Sequence, residues 1–258
     1  MSESPTLYPT DFISPLMGET DPKGQRGGEL KINLQKINSE IQEALKQSSR
    51  SSDSLTLIAV SKTQPVQKIL ALYQLGVRNF GENYLQEALD KIQELKDLNI
   101  IWHFIGPIQS NKTKLISENF DWVHSLENIK TAQRLSHQRP LDLPKLNILI
   151  QININQEPSK SGLTNFQELK NLSQEILKLP NLKLMGLMCI PENNLNKTQE
   201  SFRQLKNLLD QLNLTLNLDL KVLSMGMSND FKEAILEGST MMRVGTKLFG
   251  TREYGDKK

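Results

Sequence analysis

The chain predicts an α/β protein, a single-domain (β/α)8 TIM barrel with an extra N-terminal helix, on three observations. Short apolar, β-branched-rich runs alternate with helical patterns from about residue 55 onward. The alternation yields eight strands, each followed by a helix or helix-like segment, which favours a closed parallel barrel. A doubly wound sheet is the alternative, but the Gly-rich fingerprint it carries after its first strand is missing here.

Residues 1–28 hold Pro5, Pro9, Pro15, Pro22, Gly18, Gly24, Gly27 and Gly28 without sustained periodicity, and read as a disordered or loosely docked extension. Residues 29–258 are the expected barrel domain. Its extra helix begins at Leu30 and continues through Ile32, Leu34, Ile37, Ile41, Ala44 and Leu45. The first strand is the run Leu55-Thr56-Leu57-Ile58-Ala59-Val60, ending at Ser61-Lys62. Thr63-Gln64-Pro65 turns the chain into a helix bearing Val66, Ile69, Leu70 and Tyr73, closed by Gly76. Further strands are expected near residues 78–80, 100–105, 122–123, 146–154, 182–188, 221–225 and 241–244. Helices are expected over 82–95, 112–118, 128–137, 165–179, 195–212 and 230–236. Thr164-Asn165-Phe166-Gln167 reads as a capping box, with Thr164 as the cap.

Net charge is +2, which does not suggest a nucleic-acid binder. No apolar stretch approaches the roughly 20 residues of a membrane span, and the N-terminus lacks the order of a secretory signal. The single cysteine, Cys189, follows Leu187-Met188 and is expected to be a buried structural thiol. Cytoplasm is the expected location. His103, His124 and His137 show no ligand spacing, so no metal site is expected.

In a barrel the loops after the strands share one face, where ligands bind. Lys62 stands at the end of the first strand; its amine either reaches solvent or, with a lowered pKa, forms a Schiff base with a carbonyl cofactor. Ser228-Asn229-Asp230 and Gly245-Thr246 follow strands seven and eight, the barrel's recurrent phosphate loops. Each piece alone is also compatible with an ordinary N-cap at Ser228 or a turn at Gly245. Arg243 shares a strand face with Gly245; pointing inward, it needs an anion, an acceptor or a salt bridge to a neighbouring loop. His103, in the third strand, reads as a hydrogen-bonded core histidine.

Taken together, Ala59-Val60-Ser61-Lys62, Phe80-Gly81-Glu82-Asn83-Tyr84, the run from Trp102-His103-Phe104 to Ser110-Asn111-Lys112, Ser159-Lys160-Ser161-Gly162, Gly186-Leu187-Met188, Ser224-Met225-Gly226-Met227-Ser228 and Arg243-Val244-Gly245-Thr246-Lys247-Leu248-Phe249-Gly250 resemble the pyridoxal phosphate (PLP) homeostasis proteins, relatives of the alanine racemase N-terminal barrel. The match runs in order from about residue 30; the first 28 residues have no counterpart. The resemblance implies that Lys62 holds PLP as an internal aldimine, that Ser228, Gly245 and Thr246 bind its phosphate, that Arg243 faces the pyridine nitrogen, and that Asn83 lines the pocket.

An arginine against that nitrogen keeps it unprotonated, which makes the ring a poor electron sink. In the racemase relatives a tyrosine from an additional β domain supplies a second acid/base group. The sequence runs only a few residues past Gly250, so no such domain is expected. The expected role is therefore a cytosolic, monomeric PLP-binding protein that buffers the cofactor, passes it to PLP-dependent apo-enzymes and affects amino-acid and keto-acid balance indirectly, with no robust catalysis. The alternative is a small PLP-dependent amino-acid racemase or lyase, with Lys62 as base and His103 or Tyr84 as acid. A third reading, a scaffold recognised by a protein partner, rests only on the N-terminal extension.

Overall fold

The computed structural model describes residues 24–192 and 195–250. Helix α1 (Gly24–Gln47) precedes eight strands: β1 (Thr56–Val60), β2 (Asn79–Glu82), β3 (Ile101–Phe104), β4 (Trp122–Leu126), β5 (Leu146–Ile152), β6 (Leu182–Cys189), β7 (Val222–Ser224) and β8 (Met241–Val244). After successive strands come α2 (Val66–Gln74), α3 (Leu85–Glu94), α4 (Thr113–Asn119), α5 (Ile129–Gln138), α6 (Phe166–Leu177), α7 (Leu195–Leu216), α8 (Phe231–Leu236) and α9 (Thr246–Phe249). The strands pair in parallel in sequence order, and β8 closes onto β1, so the barrel is complete.

Period-two alternation splits the core in two. Leu57, Ala59, Phe80, Phe104, Val123, Ile148, Ile150, Leu187, Leu223, Met242 and Val244 point outward and pack with the helices. Ile58, Leu149, Met188 and Met241 form a small apolar cluster of their own. Arg243 is flanked by the outward Met242 and Val244, so its strand position turns it into the lumen. A bulge opens the β5–β6 pairing between Ile148 and Leu149, opposite Leu184 and Gly186. A Cβ at Gly186 would overlap the Val222 carbonyl oxygen of the next strand.

Helix α1 presents Leu30, Leu34, Ile37, Ile41, Ala44 and Leu45 as a buried stripe against α2, α8 and α9. Ile32 falls off that stripe and is 51% exposed, contrary to its inclusion in the helical pattern. The helix also begins at Gly24 rather than Leu30, so residues 24–28 of the expected extension are helical, while residues 1–23 lie outside the described residues. The cap of α6 differs by one residue: Asn165, not Thr164, has the extended backbone, and its side chain accepts from the Glu168 N–H at 2.9 Å.

Candidate functional site

Lys62, Asn83, Ser228, Arg243, Gly245 and Thr246 all line one cavity of about 480 Å³ at the C-terminal mouth of the barrel. Strand ends explain the convergence. Lys62 follows β1 in a turn closed by the Gln64 N–H on the Ser61 carbonyl at 3.0 Å. Asn83 follows β2, and the β3 loop presses on its backbone, where only a glycine fits: a Cβ at Gly106 would overlap the Asn83 carbonyl. Asn83 Oδ1 is buried and has no hydrogen-bond partner.

Ser228 follows β7, and its Oγ accepts from the Lys247 N–H at 3.3 Å, which ties the β7 loop to the first turn of α9. It is not the cap of α8; Asp230 holds that place and folds its carboxylate back onto the Met227 N–H at 2.5 Å. Burial pushes the Asp230 carboxyl up from its ordinary pKa, opposed by the Met227 N–H and Arg243. Gly245 and Thr246 open α9. A Cβ at Gly245 would meet Val60 at 3.5 Å, ordinary contact, so the neighbouring protein atoms alone do not demand a glycine there.

Arg243 is 4% exposed. It donates to Ser224 Oγ at 2.6 Å and to the Cys189 carbonyl at 2.9 Å. Burial lowers its pKa from the ordinary value, and Cys189 and Asp230 oppose that shift. Behind it a chain of hydrogen bonds crosses the barrel: Ser224 Oγ to His124 Nδ1 at 2.9 Å, His124 Nε2 to His103 Nδ1 at 3.0 Å, His103 Nε2 to Asn79 Oδ1 at 2.9 Å. Burial pushes His103 down to about 3 and His124 well below its usual range, so both rings are neutral. Arginine only donates and a carbonyl oxygen only accepts, which sets the tautomers. Ser224 gives its hydrogen to His124, His124 Nε2–H donates to His103, and His103 Nε2–H donates to Asn79. Acceptor ends therefore face the guanidinium throughout.

These contacts make His103 the core histidine the sequence suggested, and it lines neither cavity of the mouth. Tyr84, 55% exposed, lines neither as well. Cys189 is buried, with burial raising its thiol to about 12. The histidine chain was not legible in the sequence; only the register of β3 on β4 puts the two rings together.

A second cavity of about 350 Å³ adjoins the first and shares Asn83, Ile105, Lys160 and Ile190 with it; Gly106, Glu127 and Gln151 are among its other walls. Lys160 stands between the two, its Nζ on the Pro191 carbonyl at 3.0 Å and on Glu157 at 2.5 Å. In the sequence Ser159-Lys160-Ser161-Gly162 carries part of the family resemblance, without a role for Lys160. Among the described residues no group of His, Cys, Asp and Glu could hold a metal ion.

A barrel whose mouth gathers a lysine amine, a buried guanidinium and two hydroxyl-bearing loops belongs to the class of barrels that bind a small anionic ligand at the strand ends. The comparisons with known proteins narrow this. The model of the alanine racemase N-terminal domain matches residues 32–253. The pyridoxal phosphate homeostasis protein of Pseudomonas aeruginosa is 50% identical over 225 residues, covering 86% of this chain and 96% of the relative. That of Escherichia coli is 45% identical over 230 residues, 87% of this chain and 97% of the relative. PipY of Synechococcus elongatus, solved with PLP bound, is 37% identical with a TM-score of 0.72, over 81% of this chain and all of that one. The chain belongs to the pyridoxal phosphate homeostasis protein family, built on the alanine racemase N-terminal barrel.

Proposed function

We propose that the protein binds PLP at the barrel mouth, through a Schiff base on Lys62, and serves to hold and pass on the cofactor. The observation that carries this reading is the convergence of Lys62, Asn83, Ser228, Arg243, Gly245 and Thr246 on one 480 Å³ cavity. The cavity suits the group in two further respects. Asn83 Oδ1 is a buried acceptor without a protein partner, and Arg243 is a buried cation whose two hydrogen-bond acceptors are neutral. Ser228 Oγ, Thr246 and the Gly245 backbone would hold the phosphate, and Arg243 the ring nitrogen. PLP would supply an aldehyde when bound, and Lys62 is the amine that would hold it as a Schiff base with loss of water.

Arg243 argues for holding rather than turnover. Its hydrogen-bond acceptors carry no charge, so only the more distant Asp230 offsets its field, and a second positive charge beside it is disfavoured. A ring nitrogen held there would stay unprotonated and would withdraw electrons weakly. Neither of the acids considered for the racemase or lyase reading, His103 and Tyr84, reaches the cavity. The same role includes delivery to PLP-dependent apo-enzymes, an indirect effect on amino-acid and keto-acid balance, a monomeric state and a cytoplasmic location. Among the described residues no helix is long and apolar enough to cross a membrane.

The test is a visible spectrum of the purified protein loaded with PLP, before and after borohydride, with peptide mapping. A yellow band that borohydride bleaches, with the label on Lys62 and lost in Lys62→Ala, is expected. Labelling elsewhere overturns the site. Deuterium exchange at the α-carbon of any amino acid at enzymatic rates, lost with Lys62, overturns the holding role.

A further inference from the structure

Both chain neighbours of Lys62 are tied to one ionic cluster beneath it. Lys91, on α3, is buried, and its ammonium donates to three acceptors: the Ser61 carbonyl at 2.7 Å, Glu82 Oε1 at 2.8 Å and Glu87 Oε1 at 2.5 Å. Ser61 Oγ donates to the same Glu82 oxygen at 2.6 Å, and the Thr63 N–H donates to Glu87 Oε1 at 2.6 Å. The residue before Lys62 is therefore gripped at its carbonyl and hydroxyl, and the residue after it at its amide.

Thr63 shows why a grip is needed. Its φ is +63°, in the left-handed region that a β-branched residue rarely enters. Such a conformation persists only where its surroundings over-determine it, and it clusters at functional sites. Here the Glu87 carboxylate makes a charge-assisted hydrogen bond to the strained residue's own amide. Glu82 Oε2 is buried without a partner, so the cluster is not built for best burial of charge. A half-satisfied buried carboxylate is costly, and a well-packed apolar group in its place would serve stability as well or better. What the ionic arrangement does that an apolar one could not is hold the Ser61 and Thr63 backbone in place.

We propose that Glu87 and Lys91 are positioning residues for Lys62, holding the strained Ser61-Lys62-Thr63 turn so that the amine is presented to the cavity. The proposal rests on the PLP reading above. Release of the Glu87 bond lets Thr63 leave the left-handed region, and the Lys62 Cα turns with it. The cluster then governs how long the protein keeps its cofactor.

Glu87 is partly exposed, with a side chain 30% accessible, so its variants are suited to the test. PLP-loaded wild type, Glu87→Ala, Glu87→Gln and the double variant Thr63→Gly with Glu87→Ala are compared for the rate of cofactor loss and the pH profile of the yellow band. Glu87→Ala is expected to lose PLP about tenfold faster, the cost of one charge-assisted bond, with its pH profile displaced. Glu87→Gln, which still accepts from Thr63, is expected to fall between. Glycine removes the left-handed penalty, so the double variant is expected to regain about tenfold. Glu87→Ala holding PLP as wild type does, or a double variant as leaky as the single one, overturns the proposal. In the unliganded proteins, backbone NMR is expected to place Thr63 in the left-handed region in wild type and outside it in Glu87→Ala. An unmoved Thr63 overturns the clamp whether or not PLP binds. A wild type that borohydride does not label at Lys62 instead overturns the PLP reading, and the clamp's role in it.

Discussion

The Arg243 guanidinium lies within the barrel on a serine hydroxyl and a backbone carbonyl, and among the described residues no carboxylate lies within ion-pair distance of it. A buried cation so supported costs free energy in the empty protein, offset in part by Asp230, and an anionic or accepting ligand offsets more of it. Arg243→Met should therefore separate stability from binding. The thermal midpoint of the unliganded variant is expected to equal or exceed that of wild type, because a well-packed apolar side chain often replaces a buried charge at no loss. PLP affinity is expected to fall about tenfold or more, for loss of a hydrogen bond from a charged group. Calorimetry without cofactor and a PLP titration check the two halves; a destabilised variant with wild-type affinity would reverse the assignment. The shared strand face of Arg243 and Gly245 was legible in the sequence; that this face turns inward follows from the structure, where Met242 and Val244 on either side join the outer core. The partners that hold it were not. Ser224 lies on β7 and Cys189 ends β6, and single-strand alternation does not say which side chain on another strand stands opposite.

Helices were legible where an apolar stripe marks them and less so at their ends. In α1 the stripe from Leu30 to Leu45 was plain, but the helix continues back to Gly24 through residues with no periodicity to betray it. At α6 the capping pattern was present yet displaced by one, because Thr164 and Asn165 are both good caps and the motif alone does not choose. The structure chooses Asn165, whose side chain takes the Glu168 N–H. Asn165→Ala should cost about 1 kcal/mol of unfolding free energy, and Thr164→Ala no more than a few tenths, within the usual range of a surface change. Urea unfolding of the two variants measures the difference, and equal costs would contradict the assigned cap. The site shows the same limit at the scale of elements. Lys62, Ser228 and Gly245 could be placed on the mouth from strand order alone, whereas the clamp under Lys62 joins Lys91 on one helix to a strand end and a turn.

For the whole molecule the neutral histidine pair sets how stability responds to acid. His103 is held at about 3 and His124 well below its usual range, both chiefly by burial. In the unfolded chain each takes up a proton near pH 6.5. A base whose pKa is lower folded than unfolded binds fewer protons in the native state. Its contribution is fully present above the unfolded value and is lost as pH falls below it. With two such rings, their joint contribution to stability should be level above about pH 7 and then decline below about 6.5 at a slope approaching 2.7 kcal/mol per pH unit. Glu82, Asp121 and Asp230 act in the opposite sense, since burial raises their carboxyls and the native state takes their protons first as the pH drops. The histidine share is isolated by difference. Denaturant unfolding from pH 7.5 to 5.5, run on wild type and on His103→Gln, should show the acid slope of the variant reduced by about half, or roughly 1.4 kcal/mol per pH unit. The slope is the readout, so a lower overall stability of the variant does not affect it. An unchanged slope would mean that His103 takes up its proton equally well in the folded protein, and burial would not be holding it neutral in acid.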